Sequence, residues 1–179
     1  LKLFCAIIKA IFIIITCSRR FNNVTNKYIG MEKRKIRIND VKETEKKLIL
    51  AGAKFIDDIE VSDTYYNQDQ GSVLKVTECD YGKFLVQIIG KNIIRHEKIE
   101  KPRELKNALK ERYGRDTILD KRRKKYEWNE YSVRIYMIEE VGDFLVVTGE
   151  NVPDSVFGEF GFEEPEFIEV PFSELAKDL

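Results

Sequence analysis

Three cysteines, a single histidine and no net charge are the first shortages of this 179-residue chain. Cys5, Cys17 and Cys79 form an odd set with no CxxC spacing and no paired histidines to complete a zinc site. A disulfide framework and a structural zinc are therefore not expected, and a reducing, cytoplasmic compartment fits best. His96 sits in "IIRHEKIE" with no adjacent nucleophile, and reads as an ordinary surface histidine. There is no glycine-rich phosphate loop, no GxSxG elbow and no HExxH, so those enzyme classes have no support.

No apolar run is long enough to span a bilayer. "LFCAIIKAIFIIITC" is interrupted by Lys9 and falls short of the roughly 20 residues a transmembrane helix needs. Its flanking Arg19 and Arg20 follow the apolar run, opposite to the order in a secretory signal. Met31 stands directly before the first regular pattern. The reading is a domain over 31–179, with 1–30 an extension outside the fold, either a mis-assigned start or a membrane anchor. No membrane partner is expected unless that extension is real.

With 43% hydrophobic residues, the chain can build one proper core. Its charge is unevenly spread although 31 bases balance 31 acids. From Glu139 onward twelve acids face only Lys177, so the first 138 residues are strongly basic. That asymmetry suits an anionic partner, or two ends that attract each other on folding.

In "MEKRKIRI" the period is two, placing Ile36 and Ile38 on one strand face and Lys33, Lys35 and Arg37 on the other. "DVKETEKKLILAGAKF" switches to a helical period, with Asp40 as N-cap, Glu43 as its partner and Gly52 as the stop. Extended runs follow in "IEVSDTYYN", "SVLKVTE", "KFLVQIIG" and "NIIRHEKIE", with a hairpin at Asp80-Tyr81-Gly82. Pro102 opens a helix that Gly114 closes. "TILDKRRKKYEW", "YSVRIYMIEE" and "GDFLVVTGE" read as three more strands, before a last helical turn at "FSELAKDL". The pattern predicts an α+β fold whose antiparallel strands, about eight, close or nearly close into a barrel.

In order and spacing, "KIRINDVKETEKKLILAGAKF", "DTYYN", "DKRRKKY", "IEEVGDF" and "FGFEEPEFIEVPFSEL" resemble successive landmarks of the CYTH superfamily, the class IV adenylate cyclases and thiamine triphosphatases. The resemblance spans Met31 to Leu175, and "EVPFSEL" is closer to the cyclase-type ending. It implies an eight-stranded antiparallel closed barrel of the triphosphate tunnel type with outer helices. It also implies strand cations gripping a triphosphate while acids at one end hold divalent metal. On that basis Lys35 falls at the lysine of the ExExK signature, with Arg37 two residues on. Lys75 falls on the LRxR strand, Arg95 and Glu97 on the RxE strand, and Lys121 and Arg123 on the KxR strand. Arg134 is expected to join them in the tunnel. The acidic half does not carry over: Met31 and Lys33 fall where the signature glutamates belong, Tyr136 where an aspartate belongs, and Val146 and Thr148 where two more glutamates belong. Thr77 and Ile89 replace expected cations, and of the family's metal carboxylates only Glu97 is in place.

Three functions remain open from the sequence. The first is a domain binding an organic triphosphate or nucleotide, with catalysis reduced or lost. The second is a working cyclase or triphosphatase with Mg2+ or Mn2+ on Glu97, helped by Glu32 or Glu139. The third is a polyanion or RNA binder using the outward Arg122 and Lys124 of "KRRKK". Nucleic acid is the less favoured partner, a homodimer is allowed for, and no cofactor is required by the sequence. Tyr65 and Tyr66 are expected to pack the barrel rather than stack on a base.

Overall fold

The alternation in "EKRKIRI" does what a period of two dictates: β1 (Glu32–Ile38) turns Ile36 and Ile38 to an apolar core and Lys33, Lys35 and Arg37 to the opposite face. A computed structural model describes residues 28–177. The chain continues through α1 (Val41–Leu50), β2 (Lys54–Tyr66), β3 (Ser72–Cys79), β4 (Gly82–Ile89), β5 (Asn92–Lys98) and α2 (Pro102–Tyr113). After these come β6 (Arg115–Trp128), β7 (Tyr131–Ile138), β8 (Gly142–Gly149), α3 (Ser155–Glu159) and α4 (Phe172–Leu175).

The strands form a closed antiparallel barrel in the order β1-β5-β4-β3-β2-β6-β7-β8. Seven joints are long ladders, but β1 and β5 share only the Glu32–Asn92 pair. Backbone bonds from Gly30 to Ile93 (2.9 Å), Ile93 to Met31 (3.0 Å) and Lys33 to Lys91 (2.8 Å) extend that joint. Farther along β1, the N–H of Ile168 donates to the Lys35 carbonyl at 3.0 Å and Phe167 bridges Ile36. The C-terminal segment thus takes the edge of β1 that β5 leaves unpaired.

Tyr28 to Gly30 belong to the stretch set aside by the sequence reading, yet they contact the barrel: Gly30 bonds β5, and the Tyr28 ring lies 4.9 Å from that of His96. The rest of the proposed extension, residues 1–27, lies outside the described residues, as do Cys5 and Cys17. Among the described residues no helix is long and apolar enough to cross a membrane, and Cys79 is a free thiol.

Helix α1 starts as its sequence demands. The Asp40 side chain accepts from the Glu43 N–H at 3.0 Å, and Gly52 follows the helix at φ +86°. Leu48 is its fully buried anchor. It packs with Ile36, Ile38, Tyr126, Val133, Ile135, Leu145, Val147 and the α3 residues Val156 and Phe157, outside the barrel wall. A second outer cluster, Tyr66, Leu74, Val76 and Leu85, lies under Leu105, Leu109 and Tyr113 of α2. Much of the apolar burial therefore stabilises the wall from outside, which leaves its inner face able to hold charge.

Candidate anion site in the barrel interior

Cross-strand register decides which cations meet. Lys35 pairs with Val146, Val146 with Arg134, and Tyr136 with Arg123, so these side chains share the inner face. Lys75 opposes Tyr65, and Lys121 opposes Val61, two residues from Asp63 on the same face. The structure thus brings together Lys35, Lys75, Lys121, Arg123 and Arg134 as expected from the sequence. The alternation of "KRRKK" is also observed: Arg122 points out to grip Asp58 with two bonds of 2.7 Å, and Lys124 points out to Glu45 at 2.8 Å.

Asp63 organises the centre. Its Oδ2 accepts from Lys75 at 2.5 Å and from Lys121, while Oδ1 accepts from the Thr77 hydroxyl at 2.5 Å. The Tyr65 hydroxyl reaches the same carboxylate at 3.3 Å. Burial alone would raise this carboxyl, but Lys121 and Lys75 overcome it and hold it far below the usual aspartate range. Burial raises the Tyr65 phenol well above its ordinary value, and Asp63 adds to that.

Lys33 is the cation the sequence reading placed on this face without giving it a ligand role. It has no carboxylate partner among the described residues. Its ammonium lies 5.8 Å from the Tyr136 ring and 5.7 Å from that of Phe172. Burial first, and then Lys75, Lys121, Lys35 and Arg134, push it well below the ordinary lysine range. Lys35 is lowered to about 8, mainly by burial, with Glu169 and Glu174 opposing the shift and Lys75 adding to it. Burial would raise the Tyr136 phenol, yet Arg134, Lys121, Lys75 and Arg123 bring it below its usual value.

One end of the interior is covered by α4. Phe172 is buried against Phe144 (4.8 Å between centroids), and its ring lies 5.4 Å from the ammonium groups of both Lys35 and Lys121. Arg37 lies at the barrel mouth, where it is exposed, stacks 4.9 Å from Phe144 and donates to the Val141 carbonyl at 2.8 Å. Arg123 is paired with Asp57 at 3.0 Å, and Arg134 donates to Thr148 Oγ1 at 3.3 Å. The Nε atoms of Arg123 and Arg134, Ser132 Oγ and His96 Nδ1 are buried without a hydrogen-bond partner.

Two expected site residues do not join this group. Arg95 and Glu97 pair with Gln87 and Leu85, and Leu85 belongs to the outer cluster beneath α2. The reason is a bulge: β4 and β5 slip by one residue between Gln87 and Ile88, which inverts the facing of everything after Ile94. Arg95 donates to Glu97 at 2.7 Å on that outer side, and His96 faces inward instead. Its ring packs 5.0 Å from Phe84 as well as on Tyr28, and burial lowers it, so it is not the surface histidine expected.

A divalent metal of the kind the family resemblance implies does not fit these side chains. No group of three His, Cys, Asp or Glu able to hold one occurs among the described residues. Both oxygens of Asp63 are already taken, Glu97 faces outward, and Glu139 is exposed in a turn. Glu32 faces outward to accept from the Val152 N–H at 3.1 Å and to pair with Lys91 at 2.5 Å.

Tyr65 and Tyr66 are both packing residues, on opposite faces of β2. Asp63 and Phe172 were missed as interior residues, whereas the resemblance had set Tyr136 where an aspartate belongs. Phe172 carries no sequence signal beyond hydrophobicity. The signal for Asp63 was available, because it shares the odd-numbered face of Tyr65 in "SDTYYN".

No family model matches the sequence, and no curated protein does either. Solved structures do match. A protein of Pyrococcus horikoshii is 18% identical with a TM-score of 0.72, the match covering 81% of this chain and 98% of that one. A candidate adenylate cyclase of Vibrio parahaemolyticus is 13% identical, with a TM-score of 0.67 over 82% and 97% of the two chains. A candidate adenylyl cyclase from Hippeastrum, described as having a dominant triphosphatase activity, is 11% identical with a TM-score of 0.57 over 83% and 96%. The likeness is one of fold: an eight-stranded, closed antiparallel barrel with outer helices, shared over about four-fifths of this chain.

Proposed function

We propose that the barrel interior binds a polyanion, an organic triphosphate or a nucleotide, through Lys35, Lys75, Lys121, Arg123 and Arg134, with Arg37 at the mouth. The observation that carries this reading is the imbalance inside the wall. Among the described residues, Asp63 and, nearer the rim, Asp57 are the acids bonded to those cations; Glu169 and Glu174 act on Lys35, Lys33 has no carboxylate partner, and the buried Nε donors of Arg123 and Arg134 have no acceptor. Phosphate oxygens would supply both the missing charge and the missing acceptors.

Turnover of the cyclase or triphosphatase kind is not part of this reading. Phosphoryl and nucleotidyl transfer depend on metal bridging the phosphate oxygens, and the carboxylates that would hold it are replaced or turned outward. Binding of RNA on the outer wall is disfavoured because Arg122 and Lys124 are engaged by Asp58 and Glu45.

A thermal-shift panel of inorganic triphosphate, ATP and thiamine triphosphate, each with EDTA and with Mg2+, tests the proposal. Stabilisation by at least one of them under either condition is expected. No shift from any of them would sink it.

A further inference from the structure

Where metal does not fit, something else must neutralise the bound anion. We infer that the barrel takes its polyanion free of divalent metal, with the Lys33 ammonium supplying charge where a metal ion would otherwise be needed. The inference rests on the polyanion reading of the same interior.

Four observations carry it. Lys33 stands two residues from Lys35 on the same inner face of β1, so both ammonium groups can reach one ligand. Its Nζ is held among the Tyr136 and Phe172 rings with no carboxylate to satisfy it. A buried ammonium without a counter-ion is costly, which leaves Lys33 as the group that gains most from an incoming anion. Finally, the other groups around it are cationic or aromatic: Lys35 on its own strand, Lys75 on β3, Lys121 on β6, and Arg134 and Tyr136 on β7, while Asp63 on β2 is saturated by its lysines.

Mg2+ needs near-octahedral oxygen ligands at about 2.0–2.1 Å and gives up its waters reluctantly. Tyr136 and Phe172 offer ring faces to Lys33 rather than carboxylate oxygens, and among the described residues no group of three His, Cys, Asp or Glu is assembled to share a metal with the phosphates. A magnesium complex also has two fewer negative charges than the free anion, so the cationic interior attracts it less. Lysine differs from a metal in another respect: its three donors rotate, and its charge depends on a proton.

The test is calorimetric titration of sodium triphosphate into the full chain at pH 7.5, first in EDTA and then with Mg2+ in excess over the ligand. The expected result is saturable binding in EDTA and affinity weaker by roughly tenfold or more with Mg2+. Lys33→Met should reduce the affinity in EDTA by a similar factor. Lys33→Gln, of similar length and polar, is the second variant should the first fail to unfold cooperatively. Binding that appears or tightens on adding Mg2+ would overturn the inference and leave the polyanion reading standing. A soluble, folded Lys33 variant that binds like the parent would overturn the role of Lys33. Absence of binding in both conditions would overturn the polyanion reading and this inference with it.

Discussion

Lys121 of β6 donates to the carboxylate of Asp63 on β2, a contact between neighbouring strands made wholly inside the barrel. Lys75 shares the same oxygen from the other side, so a single acid holds two buried lysines. A polyanion entering this space meets lysines already fixed in direction.

Replacing that acid should separate stability from binding. Asp63→Asn leaves two buried ammonium groups competing for a neutral amide, and is expected to cost about 3–5 kcal/mol. Urea unfolding of the variant measures it. Because Lys75 and Lys121 are then free, inorganic triphosphate should raise the melting temperature of Asp63→Asn more than that of the parent protein.

Lys33 should behave in the opposite way. With no counter-ion in the unliganded barrel, Lys33→Met removes a poorly satisfied ammonium from between two rings. It is expected to stabilise the free protein by about 1–2 kcal/mol, a rise of a few degrees in Tm for a domain of this size. Differential scanning calorimetry without ligand reads this directly, and a clear fall in Tm would show that Lys33 is well satisfied as it stands.

Affinity for the anion should depend on pH, with a sign set by Lys35. Its pKa lies near 8 in the free protein, chiefly because the group is buried. A bound anion favours the ammonium form and so moves that pKa back towards 10.5, its ordinary value. Between those two values, binding takes up a proton, and affinity strengthens as pH falls from about 10 towards 8. Lys33, also lowered by burial and by its cationic neighbours, adds to the dependence in the same sense. Calorimetric titrations at pH 9.5, 8.5 and 7.5, in buffers of differing ionisation enthalpy, should show proton uptake that diminishes in Lys35→Met.

Outward cations provide the contrast. Arg122 is held by Asp58 on the exposed wall, where such pairs contribute only about 0–1 kcal/mol. Arg122→Ala should leave triphosphate binding within about twofold of the parent and change stability little. An equal loss of affinity in Arg122→Ala and Lys35→Met would place the ligand outside the barrel.

The barrel was legible because alternation and turn chemistry are local. "KRKIR" and "KRRKK" could be assigned faces by parity alone, and Asp40 and Gly52 marked the limits of α1. Arg95 and Glu97 were assigned from the RxE resemblance and face outward instead, since the bulge at Ile94 depends on how β4 and β5 meet and leaves no mark in a single strand. Lys33 was seen as a missing glutamate; its isolation from carboxylates emerges only when β1, β6, β7 and α4 are assembled around it. Phe172 lies far along the chain from these lysines, and only the closing turn of the C-terminal segment sets it over them.

The most direct test of the central claim is titration of inorganic triphosphate, in EDTA, into the parent protein and into Lys35→Met. Saturable binding by the parent, weakened by roughly tenfold or more in the variant, is the predicted result. No binding by the parent, or equal binding by both proteins, would contradict an anion site inside the barrel.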